Sequence, residues 1–586
     1  MNHPPPGRGR VRGWFLGESH DLRIRGLWLL LAFVAMAVAL GVRLVDVQVR
    51  QGPALARAAS QQRQGSVALP ASRGRILDTT GRILVSNRPQ FSVFADPGLI
   101  PESQRLEVAA ALAPVLSLGP QRIVELLSTP STRFVYLTHG LSEDLKDRLA
   151  RLELPGIGTL PTEQRVYESS PLPASSFAAN LLGYVDHDGN GRYGVESFYD
   201  RQLRGIDGRE TTIRDLAGNA IVLSREKRTD PHNGQDLKLG LDSRIQHWAE
   251  QSIARGVAET QSESGSVLIM DTKSGAIRAW ADFPTYDANH VSAESVARFR
   301  DLSVAGLYEP GSTMKVVTFA GGLDRGAITP GLTINEGPTT VGGFTIQDFD
   351  NKAHGVVTMA QVLEQSLNNG AIRVMQLMGG AAFYQNMATF GIGSRTGVDL
   401  SGEINQPLPP INRIQDSEFA TDSFGQGLTV TPVQLLAAIN AVANGGVWVQ
   451  PHAVESRTDP VSGAVTPFIP ATRRVISPAT AVTLSTMMTG VVDNKGGSGF
   501  LARIPAFAHK IAGKTSTASQ PTNGHYAGDV DVSFAGFLPA DNPRFTMLVL
   551  LRSPRENKVD REGAYLAAPV WKDLAQIAID QWRILP

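Results

Sequence analysis

A run without charged residues near the N-terminus, residues 26–42, constrains this chain more than any other feature. Its length lies at the low end of the roughly 17–25 apolar residues that cross a bilayer as a helix. Two further apolar residues extend the run if Arg43 turns its charged end to the interface. The first A-x-A sequence after the run, at residues 54–56, lies well beyond its end. We therefore predict a retained transmembrane anchor over residues 26–45, rather than a cleaved signal peptide or a buried helix.

The charges around this run predict which side of the membrane each part occupies. Basic residues before a span stay in the cytoplasm, so residues 1–25 form a predicted cytoplasmic tail and the rest of the chain is extracytoplasmic. The chain has no cysteine, which excludes disulfides and thiol catalysis and suits an oxidising compartment. Lys+Arg and Asp+Glu are both 55, with no basic tract, so nothing indicates nucleic acid as a partner.

The length of 586 residues predicts more than one domain, and the sequence pattern changes near residue 236. Residues 46–235 read as a separate, non-catalytic region. Its charged stretch at 224–231 predicts a hinge or solvated loop. Residues 236–586 begin with a strand, a helix and a hairpin, continue with helices, and end with strands and a final helix. This order predicts one α+β domain whose sheet joins strands from both of its ends.

The pattern most indicative of chemistry is an S-x-x-K at Ser312 and Lys315, preceded by a Pro-Gly turn and followed by an apolar run. On a helix these two side chains lie on one face, one turn apart. A lysine among apolar side chains can lose its proton and activate a serine. A helix N-terminus also offers free N–H groups for a developing oxyanion. A second S-x-x-K, at Ser224 and Lys227, lies in a charged stretch that cannot desolvate its lysine.

The only S-x-N sequence in the chain is formed by Ser366 and Asn368, in a helix-like run predicted to end at residues 369–370. A second hydroxyl here can relay a proton, while the asparagine holds the lysine and a substrate amide. The plain alternative is the polar edge of a helix C-terminus.

A third motif comprises consecutive residues on a predicted edge strand: Lys514, Thr515, Ser516 and Thr517. A cation and a hydroxyl suit a substrate carboxylate, and a following backbone N–H can complete an oxyanion hole with that of Ser312. A decoy at residues 273–275 fits K-[TS]-G better, but it precedes Ser312 and caps a hairpin turn.

The order S-x-x-K, S-x-N, K-T-x occurs in penicillin-binding proteins and β-lactamases. Residues 308–315, 73–78 and 425–432 resemble segments of class B penicillin-binding proteins, closest to the cell-division type. The resemblance implies an α+β fold with a penicillin-binding/serine β-lactamase-like transpeptidase domain at 236–586. An elongated α+β pedestal domain of the dimerisation type, at 46–235, and one N-terminal transmembrane helix would precede it.

The resemblance also implies DD-transpeptidation of peptidoglycan stem peptides during septal wall synthesis, inhibition by β-lactams, and no metal or organic cofactor. It implies docking of a polytopic glycosyltransferase and other division proteins at the membrane. The implied roles are nucleophile, base, proton relay and positioning group for Ser312, Lys315, Ser366 and Asn368, and substrate binding for Lys514, Thr515, Ser516 and Thr517. In that reading the oxyanion hole consists of the backbone N–H groups of Ser312 and Thr517.

One residue departs from the family pattern, because Ser516 stands where the family has glycine. Glycine in a strand often marks the close approach of a ligand, so a serine here narrows the predicted slot. Three alternatives stay open: an elongation-type transpeptidase of the same family, a catalytically impaired division scaffold, and a β-lactam sensor or hydrolase.

Overall fold

The protein is described by a computed structural model that covers residues 18–55, 64–130, 132–214, 220–291, 298, 300–522, 525–555 and 560–586. Most of the predicted cytoplasmic tail, residues 1–17, therefore lies outside the described residues. The described chain forms two compact units. The first comprises the described parts of Met1–Leu69 and Asp207–Pro231, and the second those of Pro70–Ile206 and His232–Pro586.

The α-helices, numbered in chain order, are α1 (Glu18–Val45), α2 (Arg105–Leu116), α3 (Pro120–Leu127), α4 (Glu143–Ala150), α5 (Ala179–Leu182), α6 (Gly194–Phe198), α7 (Asp200–Arg204), α8 (Ser243–Thr260), α9 (Leu302–Ala305), α10 (Lys315–Asp324), α11 (Met359–Glu364), α12 (Asn368–Met378), α13 (Gly380–Phe390), α14 (Asp416–Asp422), α15 (Pro432–Ala443), α16 (Pro478–Asp493) and α17 (Ala567–Trp582).

The strands are β1 (Gln64–Leu69), β2 (Ile76–Leu77), β3 (Ile83–Ala95), β4 (Val135–Leu141), β5 (Ile157–Tyr167), β6 (Tyr184–Val185), β7 (Gly191–Arg192), β8 (Gly208–Arg214), β9 (Ala220–Thr229), β10 (Asp236–Leu239), β11 (Ser264–Asp271), β12 (Ile277–Phe283), β13 (Thr333–Glu336), β14 (Thr339–Val341), β15 (Phe344–Ile346), β16 (Gly355–Thr358), β17 (Val447–Val449), β18 (Val454–Thr458), β19 (Val465–Pro467), β20 (Thr472–Arg474), β21 (Ala512–Thr522), β22 (His525–Leu538) and β23 (Phe545–Arg552).

The first unit contains α1, a short π-helix (Asp46–Arg50) and the antiparallel sheet β1-β8-β9. The stretch Ile24–Arg50 is long and apolar enough to cross a membrane, and none of it is buried within the protein. The predicted N-terminal apolar helix is therefore confirmed. The predicted loop at 224–231 was wrong over most of its length, because β9 pairs with β8 as a hairpin. Strand pairing overrides the weak local preference of a charged segment.

In the second unit, a seven-stranded sheet has the order β19-β18-β10-β2-β3-β4, and β5 also pairs with β3. It contains strands from both sides of residue 235. Strand β10 pairs in parallel with β2 and antiparallel with β18, while Ile76, Leu237 and Leu239 are fully buried. Burial of these apolar side chains stabilises the pairing between distant parts of the chain.

The second unit also contains a five-stranded antiparallel sheet with the order β12-β11-β23-β22-β21. Strand β11 pairs with β23, so the sheet joins strands from both ends of residues 236–586, as predicted. Neighbouring residues of β11 enter different cores. Val267 packs in one core with Trp571 of α17, while Leu268 packs in the other with Leu436 of α15. Both faces are thus covered, which explains the uninterrupted apolar run at residues 267–270 of β11.

Candidate active site

Ser312 lies in a 3-10 turn, Gly311–Met314, that leads directly into α10. It is half-buried, whereas Gly311 and Thr313 are buried. Gly311 has a φ of +53° and donates its N–H to the carbonyl of Gly425 at 2.9 Å. A Cβ atom on Gly425 would lie 2.2 Å from the Gly311 carbonyl oxygen. Glycine is therefore required at both positions to bring these two loops together behind the serine.

Lys315 is fully buried on the first turn of α10. Its Nζ lies 2.5 Å from the carbonyl oxygen of Ser366, 2.8 Å from Oδ1 of Asn368 and 3.4 Å from Oγ of Ser366. Burial lowers the pKa of Lys315 to about 7, and the nearby carboxyl groups of Asp348 and Glu336 oppose that effect only in part. The amine is thus near half-neutral at pH 7 and can accept a proton.

Ser366 occupies the break between two helices, where its φ is +63°. The structure corrects the predicted continuous run here, because α11 ends at Glu364 and α12 begins at Asn368. Left-handed backbone is unfavourable for serine and persists only where surrounding contacts enforce it. The break directs the Ser366 carbonyl and the Asn368 side chain towards Lys315.

Lys514 is the second lysine that contacts Ser366. It is fully buried on edge strand β21, and its Nζ lies 2.8 Å from Oγ of Ser366 and 3.1 Å from the Thr515 carbonyl. Burial, followed by the nearby charge of Lys315, holds the pKa of Lys514 well below its ordinary value. An approaching carboxylate would favour the charged form again. The Thr515 hydroxyl donates to Oγ of Ser498 at 2.9 Å.

The other two residues of the third motif point to different neighbours. Ser516 is buried, and its hydroxyl donates to the Pro310 carbonyl at 2.7 Å. The Oγ1 atom of Thr517 accepts the backbone N–H of Gly563 at 3.2 Å. The hydroxyl of Ser516 is therefore directed to the loop that carries Ser312.

A cavity of about 660 Å³ opens above these groups. Six of the eight predicted site residues line it: Ser312, Ser366, Asn368, Thr515, Ser516 and Thr517. The two lysines lie beneath it and are fully buried. The structure thus brings all eight predicted residues together from three distant parts of the chain.

Sequence reasoning missed several residues of this cavity, namely Phe349, Phe424, Ser498, Phe500, Glu562 and Tyr565. Single aromatic residues in loops carry no local sign of a shared cavity. The Gly-Gly-Ser sequence at Ser498 was the one available signal, because such a loop allows close approach of a ligand.

An acidic cluster lies behind the S-x-N motif. Oδ1 of Asp348 accepts the backbone N–H groups of Asn368 and Asn369, which fixes the start of α12. Burial, and then the neighbouring Asp348, raise the pKa of Glu336 to about 8. Glu336, Asp348 and His354 hold ligand atoms within 4.8 Å of one another, the one group in the described chain with the arrangement for a metal ion.

Comparison with known proteins identifies the family. Residues 265–576 match the penicillin-binding protein transpeptidase domain, and residues 68–239 match the penicillin-binding protein dimerisation domain. Penicillin-binding protein PbpB of Mycolicibacterium smegmatis is 30% identical over 94% of this chain and 90% of its own length. Peptidoglycan D,D-transpeptidase FtsI of Escherichia coli K12 is 30% identical over 85% of this chain and 82% of its own length.

A solved structure of penicillin-binding protein 3 from Mycobacterium tuberculosis, complexed with aztreonam, is similar over 89% of this chain and 98% of that one. The TM-score is 0.68 and the sequence identity 26%. A peptidoglycan synthetase from Bifidobacterium adolescentis gives a TM-score of 0.71 at 27% identity, over 89% of this chain and 97% of the other. The chain belongs to the class B penicillin-binding proteins, with a dimerisation domain that precedes a transpeptidase domain.

Proposed function

We propose that this protein is a peptidoglycan D,D-transpeptidase in which Ser312 forms the acyl-enzyme. The observation that carries the proposal is the convergence of two buried lysines on Ser366, beneath a cavity that Ser312 also lines. A neutral lysine supplies the base that a serine hydroxyl requires. No ionised side chain contacts Lys315 among the described residues.

In the acylation step, Lys315 takes the proton of the Ser312 hydroxyl as Oγ attacks the carbonyl carbon of the penultimate D-Ala. The carbonyl oxygen becomes an oxyanion, held by the backbone N–H groups of Ser312 and Thr517. Ser366 contacts both lysines and relays the proton to the leaving nitrogen. The C–N bond then breaks, the terminal D-Ala departs with its amine, and Ser312 carries the acyl group.

In the second step, the amine of a neighbouring stem peptide attacks the ester carbonyl. Its proton passes through Ser366 and Lys315 back to the Ser312 oxygen as the ester bond breaks. The product is an amide crosslink and free enzyme. Asn368, whose Oδ1 lies 2.8 Å from Lys315 Nζ, keeps the base in place and offers its Nδ2 to a substrate carbonyl.

Substrate binding falls to β21. Lys514 and the Thr515 hydroxyl would hold the terminal carboxylate of the stem peptide, or the carboxylate of a β-lactam. As an edge strand, β21 can also pair with an extended peptide backbone through its free N–H and carbonyl groups.

The test is covalent labelling with a fluorescent β-lactam. Wild-type protein should become labelled, and Ser312→Ala should not. The matched control is Ser224→Ala, in the other S-x-x-K sequence, which should be labelled like the wild type. Labelling of Ser312→Ala at the wild-type rate would remove Ser312 as the nucleophile.

A septal role is part of the proposal, supported by the 30% identity to a relative named FtsI. In this role the protein works with a polytopic glycosyltransferase and other division proteins through α1 and residues 46–235. A fluorescent fusion should concentrate at midcell, and even distribution along the side wall would favour elongation instead.

We also propose that α1 is a single-pass anchor with its N-terminus in the cytoplasm. The candidate span Ile24–Arg50 supports the anchor, and the arginines before residue 26 support the orientation. Residues 46–235 and the transpeptidase region 236–586 would then both be extracytoplasmic. Protease added outside spheroplasts should digest both regions. Protection of both regions would contradict the proposed orientation and indicate the reverse one.

A further inference from the structure

The third residue of the K-T-x motif makes a contact that glycine cannot make. The hydroxyl of Ser516 donates to the Pro310 carbonyl at 2.7 Å, and Ser516 is only 3% exposed. We infer that Ser516 is a positioning residue that fastens strand β21 to the loop of the nucleophile. This inference rests on the proposed function, because it gives Ser516 a part in the acylation step at Ser312.

The acceptor of this bond is the carbonyl oxygen of Pro310, in the loop that precedes Ser312. The Pro310 carbonyl also accepts the hydroxyl of Thr313 at 2.6 Å, so two hydroxyls donate to one buried oxygen. Loss of the Ser516 hydroxyl would remove the only one of these two bonds that comes from another part of the chain.

The neighbouring glycine leaves the space that the hydroxyl occupies. A Cβ atom on Gly311 would lie 2.3 Å from Oγ of Ser516 and 3.0 Å from Cβ of Ala518. With φ at +53°, Gly311 also adopts a backbone conformation that other residues rarely take. The Oγ atom of Ser516 therefore occupies the space beside the turn that a side chain at residue 311 would need.

Two side chains of β21 point to the same side and connect the three motifs. Residues 514 and 516 are two apart on a strand, so they share a face. Lys514 contacts Ser366, and Ser516 contacts Pro310. One strand is thus bonded to the S-x-N segment through its first motif residue and to the nucleophile loop through its third.

The position of this bond links it to the oxyanion hole. Ser516 directly precedes Thr517, and Pro310 lies two residues before Ser312. The two proposed oxyanion donors, the N–H groups of Thr517 and Ser312, therefore sit on the two segments that the bond joins. Oxyanion donors act only at a fixed separation, so the bond should support the acylation rate rather than the initial binding of substrate.

The experiment measures acylation by a chromogenic β-lactam in stopped flow, for the full-length protein in detergent. Ser516→Ala should lower the acylation rate constant about tenfold and leave the non-covalent dissociation constant within about twofold. Ser516→Thr keeps a hydroxyl and should recover most of the rate. The pH midpoint of acylation should be the same in Ser516→Ala as in wild type, because the contacts of Lys315 are unchanged.

The matched control is Ser533→Ala. Ser533 pairs with Ser516 across β21 and β22 and is equally buried, yet its Oγ has no hydrogen-bond partner among the described residues. This variant should acylate at close to the wild-type rate. An equal loss in Ser516→Ala and Ser533→Ala would overturn the inference in favour of a general packing effect.

Two further outcomes would also overturn it. Ser516→Ala could acylate at the wild-type rate, or Ser516→Gly could acylate faster than wild type, as expected if the serine merely obstructs the slot. These results differ from a failure of the proposed function itself, in which wild-type protein stays unlabelled or Ser312→Ala is labelled.

Discussion

Two buried basic clusters in the second unit differ in one respect, the presence of a negative partner. In the transpeptidase region, Lys315 and Lys514 contact only neutral oxygens among the described residues. In the dimerisation domain, Arg73 and Arg165 share the carboxylate of Glu196. The lysines are fully buried, and the arginine side chains are nearly so.

Each arginine of this cluster has a carboxylate partner. Arg73 lies 2.7 Å from Glu196 and 2.9 Å from Asp200, while Arg165 lies 2.7 Å from Glu196. Burial acts to lower the pKa of Arg73, but the charges and hydrogen bonds of Glu196 and Asp200 outweigh it and raise the value. Arg73 therefore stays charged and joins the segment near residue 73 to α6 and α7.

The comparison teaches that burial alone does not decide what a cation does. Burial with a carboxylate gives a permanent charge and a structural tie, since the ion pair offsets the cost of desolvation. Burial without a carboxylate lowers the pKa and gives a base. The acids nearest Lys315 oppose this effect only in part, which leaves its pKa near neutrality.

The largest effect is expected from a permanent positive charge at position 315 in the transpeptidase region. Lys315→Arg keeps the charge and much of the length but cannot lose its proton. The rate constant for β-lactam acylation should fall about 10²–10⁴-fold, the usual contribution of a general base. The measurement is stopped-flow acylation, with Lys273→Arg in the decoy K-[TS]-G sequence as control. A loss of less than about threefold would exclude Lys315 as the base.

The converse change removes the negative charge of Glu196 from the arginine cluster. Glu196→Gln leaves two buried guanidinium groups without their shared carboxylate and should destabilise the protein by about 3–5 kcal/mol. Differential scanning calorimetry should show a lower melting temperature, while the folded protein acylates at the wild-type rate. Glu125→Gln, in the exposed pair with Arg122, should cost at most about 1 kcal/mol. Equal melting temperatures for the two variants would contradict the structural role of Glu196.

The mildest test uses pH and leaves the sequence unchanged. Lys315 has a pKa of about 7, so it is mostly protonated at pH 6 and mostly neutral at pH 8. Since only the neutral amine accepts a proton, the acylation rate should rise about fivefold from pH 6 to pH 7 and level off above pH 8. Arg73 stays charged across this range, because its pKa is raised. A rate independent of pH between 6 and 8 would contradict the lowered pKa of Lys315.

Several elements could be predicted because their signals are local. The apolar run of α1 and the 3.6-residue pattern of α8 need no distant partner to be recognised. The Pro-Gly turn before Ser312 likewise marked the start of a helical segment. The residues of the candidate site were found because three short motifs keep a fixed order along the chain.

Other elements depend on contacts between distant residues. For these elements the sequence analysis gave a wrong prediction or no prediction. The predicted loop at 224–231 is largely strand, because β8 supplies its hydrogen bonds. The helix through Ser366 is broken at a left-handed residue that contacts with Lys315 and Lys514 hold in place. Arg73 lies in a segment that resembles the family, but nothing in the sequence indicates that it pairs with Glu196, which is 123 residues away.

The sequence by itself determined the membrane-spanning candidate, the α+β order of the second half and the residue types that acyl transfer requires. Only the tertiary structure decided that Lys315 is buried without an ionised partner and that the Ser516 hydroxyl faces Pro310. The physical reason is that a residue type fixes which bonds and charges a side chain can have, whereas its pKa and its partner depend on what surrounds it. Those surroundings come from β21, α10 and the α11–α12 break, which lie far apart in the chain and meet only in the fold.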